Sequence, residues 1–184
     1  PATAEAVVLA GGIPVLVDVD LDSMNMTSDI LEDSYNEKMN VFSPVSWAGV
    51  PLENKIYQTA KKLDLKCLED SACSLGAKIG ENYVGKIADY SCFSFHPRKV
   101  ITTGEGGMIT TDNDEMAEKC FSFKHFGASG TSFETIGTNY KLSNVLSAIG
   151  LIQMKKIEGI IEDRIKKAKI YQELLSKIEN IKPA

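Results

Sequence analysis

"DYSCFSFHPRKVITTGEGGMITTD", residues 89–112, decides the fold. Its first eight residues alternate in polarity and its last seven are rich in strand formers. It therefore reads as a strand over 89–96, a bend from Pro97, and a second strand over 106–112. Only about ten residues separate the two strands, whereas a parallel return needs a crossover of a dozen or more, usually a helix. The second strand is thus expected to run antiparallel to the first. Lys99 falls in the bend, with Ser94 and His96 behind it and Gly104, Gly106 and Gly107 ahead. Those glycines lead into a strand rather than a helix, and no Gly-Lys-Ser/Thr follows. The segment is neither a dinucleotide fingerprint nor a P-loop.

Upstream, short apolar runs alternate with amphipathic stretches, the pattern of an α/β domain with a mostly parallel sheet flanked by helices. "AEAVVLAGG" reads as a helix stopped by Gly11 and Gly12, and "PVLVDVD" (14–20) as the strand after it. Asp29 and Glu32 suggest a capped helix in "SDILEDSYNEK", followed by a strand over 40–47. A helix over 52–63 carries Leu52, Ile56, Ala60 and Leu63 on one face, and "LKCLED" (65–70) is the next strand.

Downstream, a helix is expected over about 113–126, with polar caps before it and Gly127 at its end. Residues 143–178 read as helical, with an apolar stripe through Ile157, Ile161, Ile165, Ala168, Tyr171, Leu175 and Ile178. Unbroken, that helix would run roughly 54 Å at ~1.5 Å per residue, longer than a domain of this size is wide. Either it breaks near Gly150 or Gly159, or it leads toward a further domain or a partner. The division expected is 1–150 as a partial large domain and 151–184 as a long helix. The chain opens in mid-alternation, so residue 1 reads as lying inside a longer domain.

Composition excludes several classes. A net charge of -5 without a basic stripe argues against nucleic acid as a ligand. No apolar run approaches the ~18 residues of a membrane span, and the first residues lack a signal peptide's positive start. A cytoplasmic protein is expected. Cys67, Cys73, Cys92 and Cys120 form no C-x-x-C pair, and with His96 and His125 as the two histidines no zinc spacing emerges. Buried, reduced thiols are the plain reading of the four, and no metal is expected.

Ligands of open α/β sheets bind outside the carboxyl ends of the strands. Asp70 closes one strand. Ser94 and His96 share a face with Tyr90 and Cys92 near the end of another, and Lys99 follows. An acid, a hydroxyl and an amine converging there suit a phosphate-bearing aldehyde cofactor. A loop lysine is more commonly a solvated charge, and an Asp after a strand a cap. Periodicity alone leaves both readings open.

Five ordered blocks bear on that choice: "PVLVDVD", "PVSWAGVP", "CLEDSACSLGA", "SFHPRKVITTGEGGMITTD" and "IGTNYKLSNVLSAIGLIQMKKI". Together they resemble the DegT/StrS family of pyridoxal-phosphate-dependent sugar aminotransferases, over nearly the whole chain. The resemblance implies the large domain of an aspartate-aminotransferase-like fold, incomplete at both ends, because family members are about twice this length. It implies pyridoxal 5'-phosphate as cofactor, with Lys99 as the Schiff-base lysine and Asp70 on the pyridine nitrogen. It also implies Ser94 on the phosphate, and Asn139 reaching the phosphate in a neighbouring subunit of a homodimer. Substrates would be a nucleotide-linked keto sugar and an amino-acid donor, glutamate. In this chain Cys73 stands where many members have Gln or His, and Lys141 replaces a commoner Arg. His96 and His125 are further candidates near the site. The alternatives are a related deoxysugar dehydratase, which characteristically lacks the Schiff-base lysine, and a non-catalytic protein retaining the fold. Lys99 favours transamination.

Overall fold

The structure is a computed structural model and describes residues 1–181. In chain order, helix α1 spans Ala2–Leu9, α2 Ser28–Ser34, strand β1 Val41–Phe42, α3 Asn54–Lys62 and β2 Lys66–Asp70. A hairpin of β3 (Lys78–Ile79) and β4 (Asn82–Tyr83) leads to β5 (Tyr90–Ser94) and β6 (Gly107–Thr110). Then follow α4 (Asp114–Phe123), a second hairpin of β7 (Ala128–Ser129) and β8 (Ser132–Phe133), α5 (Asn144–Met154) and α6 (Ile157–Leu175).

The main sheet has the order β1-β2-β5-β6. β1, β2 and β5 are parallel, and β6 returns antiparallel to β5 with Ser94 opposite Gly107, as the short connection requires. Alternation gives this sheet two unlike faces. Phe42, Cys67, Glu69, Ser91 and Phe93 point to one face and are buried. Leu68, Asp70, Tyr90, Cys92 and Ser94 point to the other and are half-buried.

The closed face is filled from the amphipathic side of α3, where Ile56, Tyr57 and Ala60 join Leu31, Leu52, Phe42, Leu65 and Cys67. Each large aliphatic side chain buried there contributes about 1.5–3 kcal/mol. A second cluster, Val84, Phe93, Phe95 and Ile101, is covered by Ile157 and Ile160 of α6. One polar cluster is buried between α3 and β2. Glu69 is 0% exposed and accepts hydrogen bonds from the hydroxyls of Ser46 and Tyr57.

Several local expectations give way to tertiary structure. Residues 14–20 form no strand; Ile13 and Leu16 are 90% and 80% exposed, and no described strand lies beside them to accept their ladder. β-branched residues favour extension, but a strand exists only with a partner. The strand expected over 40–47 pairs at Val41–Phe42 and again through an isolated Val45–Asp70 bridge. Pro44, which has no N–H to donate, interrupts it. The cap of α2 is Thr27, whose hydroxyl accepts from Ile30 N at 3.4 Å, while Glu53 takes the Ser28 N–H at 2.6 Å. Asp29 and Glu32 do not cap it. Asn113 and Ser143 do cap α4 and α5.

The long helix breaks at Lys155–Lys156, not at a glycine. Gly150 serves close packing instead: a Cβ there would lie 3.0 Å from Thr103 Cγ2. The break lets Ile157 and Ile160 drop onto the second cluster, whereas Ile165, Tyr171 and Ile178 further along the stripe stay exposed.

This core has a pH signature. Burial, and then the Glu69 carboxylate, push both the Tyr57 hydroxyl and the Cys67 thiol up. Groups so raised keep protons in the folded chain that the unfolded chain has released, so stability falls as pH rises. The contribution is complete below the ordinary thiol range near pH ~8.5 and is lost upward through that of a phenol near ~10. The urea midpoint of the chain is expected to decline across that window, and Tyr57→Phe to flatten its upper part. A midpoint that holds or rises there contradicts the assignment.

Candidate active site

The site grows from the end of β2. Asp70 N donates to Pro44 O at 2.8 Å, and Ser46 N donates to Asp70 O at 3.1 Å, so the backbone is held on both sides of the side chain. Its carboxylate accepts from Thr3 Oγ1 at 2.6 Å and from Ala72 N at 3.1 Å. The ladder continues one residue further, with Ser71 N donating to Cys92 O. Cys92 lies opposite Asp70. Burial first, then the charge of Asp70, push its thiol up.

Ser94 follows on the same open face. Its Oγ accepts the His96 N–H at 3.3 Å, which leaves the hydroxyl proton to donate elsewhere. The bend beyond it is stiff. Phe95 N donates to Gly106 O, Thr103 N to Phe95 O and Lys99 N to His96 O, while Phe95 and Ile101 anchor its base in the core. Gly106, at φ 148°, lets the return strand pass close to Thr103 and Leu142. Arg164 of α6 reaches Lys99 O at 3.5 Å.

From this bend Lys99 Nζ donates to Cys73 Sγ at 3.4 Å. Cys73 lies in the turn that leaves Asp70, so the Lys99 amine reaches the turn at the end of β2 without an ion pair to Asp70. The turn is braced by a second one, Trp47–Gly49. There Asn25, only 3% exposed, accepts from Trp47 N and donates to Val50 O. Ala48 and Gly49 both take positive φ, and a Cβ on Gly49 would lie 3.0 Å from Cys73 O.

Thus Asp70 and Ser94 share the open face, and Lys99 meets Cys73 in the turn just past Asp70. Asn139 stands apart, in an antiparallel bridge with His125, and no described hydrogen bond or ladder joins it to the other four. His96 orders the bend: its Nδ1 accepts the Arg98 N–H at 3.2 Å and its Nε2 lies 4.0 Å from Glu105. His125 Nδ1 is buried with no hydrogen-bond partner among the described residues, and Lys141 Nζ sits 5.8 Å over the ring of Phe126. Sequence reasoning missed Thr3, Asn25 and the buried Glu69. Alternation around Asp70 carried a signal for Glu69, whereas Thr3 and Asn25 act through tertiary contacts with no local pattern.

The family model of the DegT/DnrJ/EryC1/StrS aminotransferase family matches residues 1–184. The chain belongs to that family. It is similar to the GDP-perosamine synthase of Escherichia coli O157:H7, with 32% identity over 98% of this chain and 50% of the relative. A UDP-4-amino-4,6-dideoxy-N-acetyl-beta-L-altrosamine transaminase of Campylobacter jejuni is 33% identical over 96% and 49% respectively. Among solved structures, Helicobacter pylori PseC, an aminotransferase involved in the biosynthesis of pseudoaminic acid, superposes with a TM-score of 0.92. That likeness is at 32% identity and covers 97% of this chain and 49% of PseC. The chain spans about half the length of these relatives. The aminotransferase fold expected from its sequence is the fold it has.

The bracing of the Cys73 turn can be tested through stability. Gly49→Ala is expected to cost about 1–3 kcal/mol, the scale of a residue forced to positive φ. Asn25→Ala should cost a similar ~1–3 kcal/mol by stranding buried partners. Both are read from urea midpoints; unchanged midpoints contradict the bracing role.

Proposed function

We propose that the whole protein uses pyridoxal 5'-phosphate to move an amino group from glutamate to the keto group of a nucleotide-linked sugar. One observation carries this: the Lys99 amine reaches the turn that leaves Asp70 at the end of β2, and the described side-chain hydrogen bonds of that amine and of the Asp70 carboxylate run to a thiol, a hydroxyl and an amide.

That arrangement fits the cofactor. Among the described residues the Asp70 carboxylate accepts from a hydroxyl and an amide but from no cation, so it can take a protonated ring nitrogen in a charge-assisted bond of about 1.5–3 kcal/mol. The hydroxyl proton of Ser94 is free to bind phosphate. The Lys99 amine rests on a soft thiol rather than a carboxylate, which leaves it available to bond a carbonyl carbon. When bound, the cofactor supplies an electron sink for the pair left behind as a substrate carbon loses its proton.

In this reading Lys99 would hold the cofactor, and its amine, once free, would move the proton at the substrate carbon. Asp70 would hold the ring nitrogen in its protonated form. Ser94 holds the phosphate in register with the bend. Asn139 serves the phosphate of a neighbouring copy, which makes the working unit a homodimer with shared sites.

The relatives, a GDP-perosamine synthase and a transaminase named for a UDP-linked amino sugar, support the substrate class. Their greater length supports reading residues 1–150 as part of the cofactor-binding domain and 151–184 as a helical arm leading onward. The four free cysteines suit a reducing compartment, and we place the protein in the cytoplasm. No helix among the described residues is long and apolar enough to cross a membrane. The presence of Lys99 disfavours a dehydratase.

Full-length protein mixed with pyridoxal phosphate should show the visible absorption band of a lysine-bound pyridoxal, and glutamate should discharge it. Lys99→Ala is expected to lack the band. Asp70→Asn is expected to keep it but to discharge it at least ~100-fold more slowly, the scale of one electrostatic group at a reacting centre. A full band in Lys99→Ala overturns the proposal.

A further inference from the structure

The contact between Lys99 Nζ and Cys73 Sγ, at 3.4 Å, joins an amine to a thiol that the transamination chemistry above does not use. Both ends are held. Lys99 sits on the bend anchored by Phe95 and Ile101, and Cys73 on the turn between Ser71 and Ser74 that packs against Gly49. Cys73 is only half-buried, so a small oxidant reaches it. Cys67, by contrast, is buried. Among the described residues, Cys73 is the cysteine whose sulfur accepts from an amine.

We propose that Cys73 and Lys99 form a reversible oxidative modification site, at which a peroxide drives closure of a sulfur–nitrogen bond between the two side chains. In the first step Sγ takes one oxygen from the peroxide. The O–O bond breaks, the second oxygen leaves as water, and sulfur gives up two electrons to become a sulfenic acid. In the second step the Lys99 amine, having released its extra proton to solvent, attacks Sγ. The S–O bond breaks, and the hydroxyl leaves with one amine proton as a second water. Thiol, amine and hydrogen peroxide thus yield a sulfenamide and two waters. A thiol reductant reverses the reaction by attacking the same sulfur.

Closure depends on the observed contact alone. Its consequence, an amine no longer able to take up cofactor, rests on the assignment of Lys99 under Proposed function. Oxidation would then act on the unloaded enzyme and spare the loaded one, because a Lys99 already bonded to cofactor has no free amine to close the link.

The experiment treats full-length, cofactor-free protein with hydrogen peroxide, digests it without reductant and sequences the peptides by mass spectrometry. The expected product is a cross-linked pair joining residues 73 and 99. Its mass falls short of the two free peptides by two hydrogens, and dithiothreitol releases it. Pyridoxal phosphate uptake should fall by the cross-linked fraction and return with reductant. Cys73→Ser should give no cross-link and make uptake insensitive to peroxide. Cys73 found only as sulfinic acid or in a disulfide, with no link to Lys99, overturns the proposal even if cofactor still loads on Lys99. A cross-link that forms equally with and without bound cofactor upholds the pair and overturns the cofactor assignment of Lys99 instead.

Discussion

The site depends on the alternation of side chains at the end of β2. One backbone step sends Glu69 inward, where it takes hydroxyls from Ser46 and Tyr57 at 0% exposure; the next sends Asp70 outward to the open face. A carboxylate buried without hydrogen bonds would be costly, and satisfying it fixes the register of everything attached. Ser46, bound to Glu69 by its side chain, binds Asp70 O through its backbone. The turn that follows Ser46 then packs on Cys73. A polar contact in the core thus sets where the outward acid and the Cys73 turn stand.

The second fixed element is the bend between β5 and β6. Antiparallel pairing places Ser94 opposite Gly107, and backbone bonds from Phe95 to Gly106 and from Thr103 to Phe95 close the loop's base. Loops that carry chemistry work best when a rigid scaffold presents them. Here the scaffold includes α6, which reaches the bend only because the helical segment breaks at Lys155–Lys156 and Ile157 and Ile160 enter the second core cluster. Gly76 permits the same approach, since a Cβ there would strike Ile161.

Strand β5 was legible because it alternates in polarity, β2 because it is a short apolar run between amphipathic stretches, and β6 because the short connection allows only an antiparallel return. The same periodicity put Ser94 and His96 on one face with Tyr90 and Cys92; that Asp70 shares it follows from the register of β2 on β5. What stayed illegible depended on partners far along the chain. "PVLVDVD" has a strand's residues but no described neighbour to pair with, and Pro44 shortened a strand whose composition looked continuous. Gly150 resembled a helix breaker, yet its missing side chain serves close contact with Thr103. Thr3 meets Asp70 across 67 residues, a contact no local pattern encodes. Lys99 was legible as a catalytic lysine only through the family-like blocks around it; its contact with Cys73 needed coordinates.

The most direct measurement is chemical. Full-length protein loaded with pyridoxal phosphate is reduced with borohydride, digested, and searched for the lysine that carries the pyridoxyl group. The label is expected on Lys99, at one per chain. A label on any other lysine, with Lys99 unmodified, contradicts the role given to the bend and to the strand end it faces.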